Sequence, residues 1–285
     1  MSAQIRVGIK DGSLEKRKFI FTINTENAGS ASDTFTLPCG NLGTYNATIE
    51  WGDGTTSTIT SYNDPDLTHI YSTPGIYTVK VLGSLPWVFF GGTTIDRQKI
   101  TLINQWGYNV WSSMRRSFSG CINLDVVATD VPNVSNVVLM DQIFRGCSSL
   151  TQVPNFNQWD TSNVSTLAYS FENCTNITDF DVTGMDVSNV TNLGYTFAKF
   201  GALNLFGLDT WNISSLTQAW YFMFGTVIPT TEYDKVLVSW SNLDPINNVN
   251  MNFGASKYTL GSDAETARAS LISNDLWTIT DGGGI

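Results

Sequence analysis

The pattern of apolar positions repeats four times between residues 114 and 224, with a period of 26 or 27 residues. Each unit starts with an aromatic column that is followed at fixed distances by further apolar positions. The six columns are Phe118, Phe144, Phe171 and Phe197; Cys121, Cys147, Cys174 and Phe200; Leu124, Leu150, Ile177 and Leu203; Val137, Val164, Val190 and Leu216; Met140, Leu167, Leu193 and Ala219; and Trp159, Met185 and Trp211. Since one unit buries too little apolar surface to fold alone, the columns predict stacked units with a continuous core.

Each unit is expected to contain one short β-strand and, on the opposite side, a short helical or irregular segment. The Phe-x-x-Cys segment is assigned to the helical side. The strands are predicted at residues 125–126, 152–153, 179–180 and 204–205.

Short alternating runs between turn residues predict a small β-sandwich over residues 18–84. The predicted strands are 19–23, 35–37, 47–51, 57–60, 69–71 and 74–81. Residues 1–17 are polar and are predicted to be an N-terminal arm, which either docks on a larger assembly or is a disordered tail or edge strand.

Residues 85–113 are interpreted as a linker and as the N-terminal cap of the repeats, with a first strand at 100–106. In this segment Trp87 and Phe89 are expected to cover the first unit, and the alternative is an exposed contact patch. Residues 225–285 are predicted to be a C-terminal cap with helices at 230–240 and 262–272 and a last strand at 277–280. Ser262 followed by Glu265 has the spacing of a capping box.

The units resemble the BspA-like leucine-rich-repeat family, whose repeats read F-x-x-C-x-x-L followed by W-D-T-S-N-V. Residues 171–174 (FENC) and 159–164 (WDTSNV) carry this resemblance, and Phe200 and Met185 depart from it. The segment that ends in WTITDGG at 277–283 resembles the end of many such proteins, including ones encoded by tailed phages. With the cap, the resemblance covers roughly residues 106–285.

Residues 18–84 resemble a PKD domain, an immunoglobulin-like sandwich of about seven strands. The matching motifs are WGDG at 51–54 and H-x-Y-x-x-x-G-x-Y-x-V at 69–79. The two resemblances together imply a mainly β protein: a PKD/Ig-like β-sandwich, then a leucine-rich-repeat solenoid, then a small α-helical cap.

Charged residues make up only 14% of the 285-residue chain, and the net charge is −10. This composition lacks the basic footprint of nucleic-acid binding, and no run reaches the roughly 18 apolar residues of a membrane span. No apolar stretch follows the first charged residues, so no signal peptide is predicted. We therefore expect a protein that reaches the outside by cell lysis, as virion proteins do.

Residues with reactive side chains are expected to be structural, and no catalytic, cofactor-binding or metal-ligating residue is predicted. The column cysteines should be buried free thiols, since side chains about 4.8 Å apart exceed the Cβ separation of about 3.8 Å in a disulfide. Cys39 has no obvious partner. His69, the only histidine, has a structural place beside the 51–54 turn in the PKD resemblance. Asp53 is interpreted as a turn former rather than a calcium ligand.

The function expected from these resemblances is non-enzymatic attachment by a virion surface protein of a tailed bacteriophage, such as a capsid decoration, fibre or tail-tip adhesin. Its partners would be virion proteins, through the arm or sandwich, and host surface glycan or protein. The alternatives are a bacterial cell-surface adhesin whose leader is absent from this sequence, a structural cement protein without a ligand, and an enzyme. Monomer and homo-oligomer both stay open.

The ligand-binding residues are unknown at this level. Trp159 and Trp211 are expected in the core because they belong to a column. The side chains expected to be partly exposed are Tyr169, Tyr195, Tyr221 and Trp220.

Overall fold

A computed structural model describes residues 14–92, 95–202, 204–243 and 245–285. Most of the predicted arm at 1–17, and Leu203 of the leucine column, lie outside the described residues. Within these ranges the chain is mainly β with few helices, and its strands form no closed barrel. No helix in the described ranges is long and apolar enough to cross a membrane.

The N-terminal region contains six strands in two antiparallel sheets. They are β1 (Phe19–Asn24), β2 (Thr34–Thr36), β3 (Asn46–Glu50), β4 (Thr56–Ile59), β5 (Thr68–Ile70) and β6 (Ile76–Ser84). One sheet has the order β4-β3-β6-β1, and β2 pairs with β5 to form the other. Alternate side chains of β1 are buried, and the Phe35 ring of β2 lies 6.1 Å from that of Phe21. The alternation in the sequence therefore placed these strands correctly.

Strand β7 (Ile100–Gln105) joins the first sheet to the repeats. It pairs antiparallel with β1, where Ile103 faces Phe21, and parallel with β8 (Asp125–Val126) of the first unit. The preceding segment covers that unit: the Phe90 ring stacks on Phe118 at 6.1 Å. Trp87 is half-buried, and its indole N–H donates to the Arg115 carbonyl at 2.9 Å. The N-terminal strands and the repeats thus share one continuous sheet.

The apolar columns form the core of the repeats, as predicted. The phenylalanine rings succeed one another at centroid distances of 5.6, 5.8 and 5.8 Å from Phe118 to Phe197. All described members of the six columns are buried, including the indole column, in which Trp159 is 3% and Trp211 1% exposed. The ladder of like side chains is therefore what holds successive units together.

On the side of the units opposite the Phe-x-x-Cys segment, strands form at three of the four predicted places. They are β8, β9 (Asp179–Asp181) and β10 (Asn204–Phe206), and β9 pairs parallel with β10. The strand predicted at 152–153 is wrong. Thr151 donates its N–H to the Asp125 side chain, Pro154 has no N–H to donate, and Asn155 is left-handed (φ 58°).

The C-terminal region has the two predicted helices, α1 (Thr230–Ser241) and α2 (Asp263–Ser273). It also has the parallel strands β11 (Asn250–Asn252) and β12 (Thr278–Thr280). Ser262 caps α2 by accepting a hydrogen bond from the Ala264 N–H. Glu265 accepts from the Gly261 N–H, one residue before the position that a capping box requires.

Candidate binding surface

Five equivalent six-residue turns lie at the surface of the repeats, and each contains one member of the phenylalanine column, whose side chain is buried. They span residues 115–120, 141–146, 168–173, 194–199 and 220–225, with Met223 in the column position of the last. Backbone hydrogen bonds of 2.7–3.0 Å join each turn to the next, for example from the Phe171 N–H to the Thr196 carbonyl at 2.9 Å. The solvent-exposed side of these five turns is named the turn face here.

Of the two conformations expected for the Phe-x-x-Cys segment, helical or irregular, the structure has the irregular one. Each turn contains two left-handed residues, one of them two positions before the column position and the other two positions after it. The first set is Arg116, Gln142, Tyr169, Tyr195 and Tyr221, and the second is Gly120, Gly146, Asn173, Lys199 and Gly225. A right-handed helix cannot include a residue with positive φ. The segment is therefore a turn with alternating backbone handedness.

The alternating handedness sends alternate N–H groups in different directions. Tyr169 and Asn173 donate to carbonyls of the next unit at 2.8 and 3.0 Å, as Phe171 does. The intervening Ser170 and Glu172 N–H groups bond back within the same unit at 3.1 and 3.3 Å. Each turn is fixed by both sets of bonds, which hold its outward side chains in register with those of the neighbouring turns.

The tyrosines of the left-handed column stack into a ladder. The rings of Tyr169 and Tyr195 are 4.6 Å apart at an interplanar angle of 8°, and those of Tyr195 and Tyr221 are 4.9 Å apart at 30°. At one end the Arg145 guanidinium lies 5.2 Å from the Tyr169 ring and pairs with Glu172 at 2.5 Å. That end of the ladder is covered.

The other end of the ladder is open to solvent. The Phe224 ring meets Tyr221 edge-on at 5.4 Å. Trp220 is 54% exposed, and Tyr221 and Phe224 are each 45% exposed. Exposed aromatic side chains at this end, with Tyr221 and Phe224 in contact, are the kind of surface that occurs at interaction sites.

The Tyr195 phenol, in the middle of the ladder, is a neutral hydrogen-bonding group. The pKa of Tyr195 is raised above its ordinary value, mainly by loss of solvent contact and to a smaller extent by the neighbouring phenols of Tyr169 and Tyr221. Its hydroxyl therefore stays protonated at physiological pH and can donate as well as accept.

The four side chains that the sequence predicts to be partly exposed are so: Tyr169 and Tyr195 are half-buried, and Tyr221 and Trp220 are exposed. The sequence reasoning missed Gln142, Arg145 and Phe224 as members of the same face. Their signal was present, because each lies at a fixed distance from the phenylalanine column. A helical or irregular segment does not by itself specify which of these side chains share a face.

His69 and Asp53 form a compact structural site in the N-terminal region. The imidazole stacks on Trp51 at 4.9 Å, and its Nε2 lies 2.8 Å from an Asp53 oxygen. The other Asp53 oxygen accepts from the N–H and hydroxyl of Thr55, which confirms the turn-forming role. Burial works against ionisation, but the hydrogen bonds from Thr55 and His69 outweigh it and lower the pKa of Asp53 to about 2.

The low pKa of Asp53 predicts an acid-sensitive contribution to stability. The carboxyl of an unfolded chain titrates near pH 3.9, so the contribution is complete above that pH and is lost as the pH falls towards 2. The free energy of unfolding, measured with urea at pH 5 and at pH 2.5, is expected to change less between these pH values in Asp53→Asn than in the unmodified protein. Equal differences in both proteins would contradict this role.

The column cysteines are buried free thiols, and they form a second internal ladder. The thiols of Cys147 and Cys174 donate to the Phe118 and Phe144 carbonyls at 3.0 and 3.1 Å. Burial raises the pKa of Cys121, Cys147 and Cys174 far above the ordinary value. Thiols held protonated in this way are poor nucleophiles. Within the described ranges no three His, Cys, Asp or Glu side chains gather as a metal site.

Comparison with known families gives a match for the repeats but none for residues 18–84. Two overlapping segments, residues 87–180 and 112–240, match the family described as "Mycoplasma protein of unknown function, DUF285", and together they span just over half of the chain. No curated protein and no solved structure matches it significantly. The match is compatible with the BspA-like resemblance of the repeats, while residues 18–84 lie outside both segments. The chain therefore belongs to the DUF285 family.

Proposed function

We propose that the protein is a non-enzymatic attachment protein whose turn face binds glycan or protein on a host cell surface. The observation that carries this proposal is the presence of tyrosine at three successive left-handed positions, with aromatic side chains exposed at the end of the row. The alternative of a purely structural role is an outcome of the test below.

The backbone does not call for tyrosine at these positions. A left-handed bulky residue costs on the order of 1–3 kcal/mol, whereas glycine and asparagine adopt this conformation readily. In the second left-handed column glycine occurs three times, and Asn173 and Lys199 once each. The tyrosine column is thus occupied by residues that the turn itself disfavours, which points to a use for their side chains.

We further propose that the stacked units are a leucine-rich-repeat solenoid of the BspA-like kind and that residues 18–84 are a PKD-like sandwich. The parallel bridges that connect Leu139, Thr166, Asn192 and Gln218 support the first assignment. The stacking of His69 between Trp51 and an edge-on Tyr71 supports the second.

The proposed setting is the surface of a tailed-phage virion, with the arm or the sandwich as the docking region. The resemblance of the C-terminal segment to phage-encoded proteins and the low content of charged residues support it. Stoichiometric co-purification of the full chain with particles tests this setting separately from binding.

Tyr195→Asn is expected to keep the fold and to weaken binding to host cells at least tenfold. Asparagine tolerates the left-handed backbone at this position, so the turn is preserved while the middle ring of the ladder is lost. The measurement is saturable binding of the labelled full chain to whole cells. Tyr108→Asn is the matched control, because Tyr108 is 66% exposed and lies outside the turns.

Saturable binding that Tyr195→Asn leaves unchanged would place recognition elsewhere on the protein. Absence of binding to any candidate host, with the chain still co-purifying with particles, would replace the proposal by a cement role.

A further inference from the structure

The basic side chains of the repeats all lie in the five turns. Residues 114–224 contain four of them, Arg115, Arg116, Arg145 and Lys199, together with the acidic Asp141 and Glu172 in the same turns. The other acidic residues of this range are Asp125, Asp130, Asp160, Asp179, Asp181, Asp186 and Asp209. The turns thus carry more positive than negative groups, although the rest of the repeats, like the whole chain, is acidic.

These cations are accessible from solvent. Arg115 and Arg145 pair with Asp141 and Glu172, yet their side chains stay 50% and 42% exposed. Arg116 donates to the neutral amide of Gln142 at 3.2 Å. Lys199 is exposed and forms no ion pair with any described residue. An anion that approached this face would meet guanidinium and ammonium groups whose charges are only partly neutralised.

The spacing of the ladder suits a particular kind of polymer. Successive tyrosine rings are 4.6 and 4.9 Å apart along the stack, which is close to the length of one pyranose unit in an extended polysaccharide. A peptide strand advances about 3.3 Å per residue and would lose register with the units. A polysaccharide chain that runs along the stack can therefore offer one sugar to each repeat.

We infer that the turn face binds an acidic polysaccharide, a deepening that rests on the proposed function. The sugar carboxylates lie against the arginines, which bind carboxylates in a bidentate geometry, and against Lys199. The C–H faces of the sugars pack on Trp220, Tyr221 and Phe224 at the open end. The sugar hydroxyls bond to the phenols and to Gln142. No bond is made or broken.

Polygalacturonate and its fully methyl-esterified form are the probes, because they share a backbone and differ in charge. The full chain is expected to bind immobilised polygalacturonate saturably and the ester at least tenfold more weakly, with affinity that falls as salt increases. Lys199→Asn keeps the left-handed backbone and is expected to weaken polygalacturonate binding several-fold. Lys235→Asn is the control, since Lys235 is exposed on α1, outside the turns.

The outcomes separate this inference from the proposed function. Cell binding that depends on Tyr195 but is unaffected by salt and polygalacturonate overturns the inference and leaves the attachment role intact. If the ester inhibits cell binding as well as polygalacturonate does, the inference is overturned in favour of a neutral glycan. If polyglutamate inhibits cell binding more strongly than polygalacturonate, it is overturned in favour of an acidic peptide. Equal losses in Lys199→Asn and Lys235→Asn would show non-specific charge attraction and overturn it too. Polygalacturonate binding that depends on Lys199, without binding to any cell, supports the inference and removes the proposed function.

Discussion

Lys99→Met is expected to lower the free energy of unfolding by about 3–5 kcal/mol, the usual cost of removing one partner from a buried ion pair. The Lys99 side chain is fully buried and lies one residue before β7. Its ammonium donates to the Ser30, Ala31 and Thr34 carbonyls at 3.2, 2.7 and 2.7 Å. Burial lowers the pKa of Lys99, and the nearby Asp96 opposes that effect.

The loss in Lys99→Met is expected to be large because several groups would be left without a partner. Asp96 lies 3.8 Å from the ammonium and also accepts from the N–H groups of Ser30 and Thr36 at 2.7 and 2.8 Å. Methionine fills a similar volume but leaves this carboxylate and the loop carbonyls buried without the cation. Urea unfolding followed by circular dichroism measures the change.

The matched control is Lys235→Met, which removes a lysine that is 56% exposed and paired with Glu232 on the surface. It should change the free energy of unfolding by less than about 0.5 kcal/mol. A loss below about 1 kcal/mol in Lys99→Met would contradict the role of Lys99 in holding residues 30–36 in place.

Phe171→Ala is expected to cost about 3–5 kcal/mol, as for other buried phenylalanines. The ring is 1% exposed and lies in the middle of the stack. Its centroid is 5.8 Å from those of Phe144 and Phe197 and 4.8 Å from that of Phe180. Since repeat units are stabilised mainly by their neighbours, the cavity should also uncouple the units on either side.

Urea unfolding of Phe171→Ala should therefore show a broader transition or two transitions, together with the lower midpoint. Phe224→Ala is the control, because that ring is 45% exposed and its removal should cost less than about 1 kcal/mol. Similar losses in both variants would show that the phenylalanine column is not what couples the units.

The core of the repeats was predictable because apolar residues at a regular spacing indicate which side chains are buried. Phe118 and the other members of its column were expected to face the core whatever the conformation of the local backbone. The turn conformation was not predictable in the same way, since tyrosine gives no local signal for a left-handed backbone. The glycines at 120, 146 and 225 and Asn173 did carry that signal, in the neighbouring column.

The junction between the two regions depends on contacts that no local pattern specifies. Strand β7 was predicted as the first strand of the repeats, but its pairing with β1 joins residues about 80 positions apart, such as Ile103 and Phe21. The missing strand at 152–153 has a local cause in Pro154 and the left-handed Asn155. A proline next to a predicted strand end should have counted against that strand.

The central claim, that the turn face is the recognition surface, is tested most directly by hydroxyl-radical footprinting of the full chain on host cells. Trp220, Tyr221 and Phe224 are expected to lose reactivity in the bound state. Tyr62 and Tyr108, which are 40% and 66% exposed away from the turns, should keep theirs. Protection of Tyr62 or Tyr108 with unchanged reactivity at the three turn residues would contradict the claim and move recognition to the sandwich side.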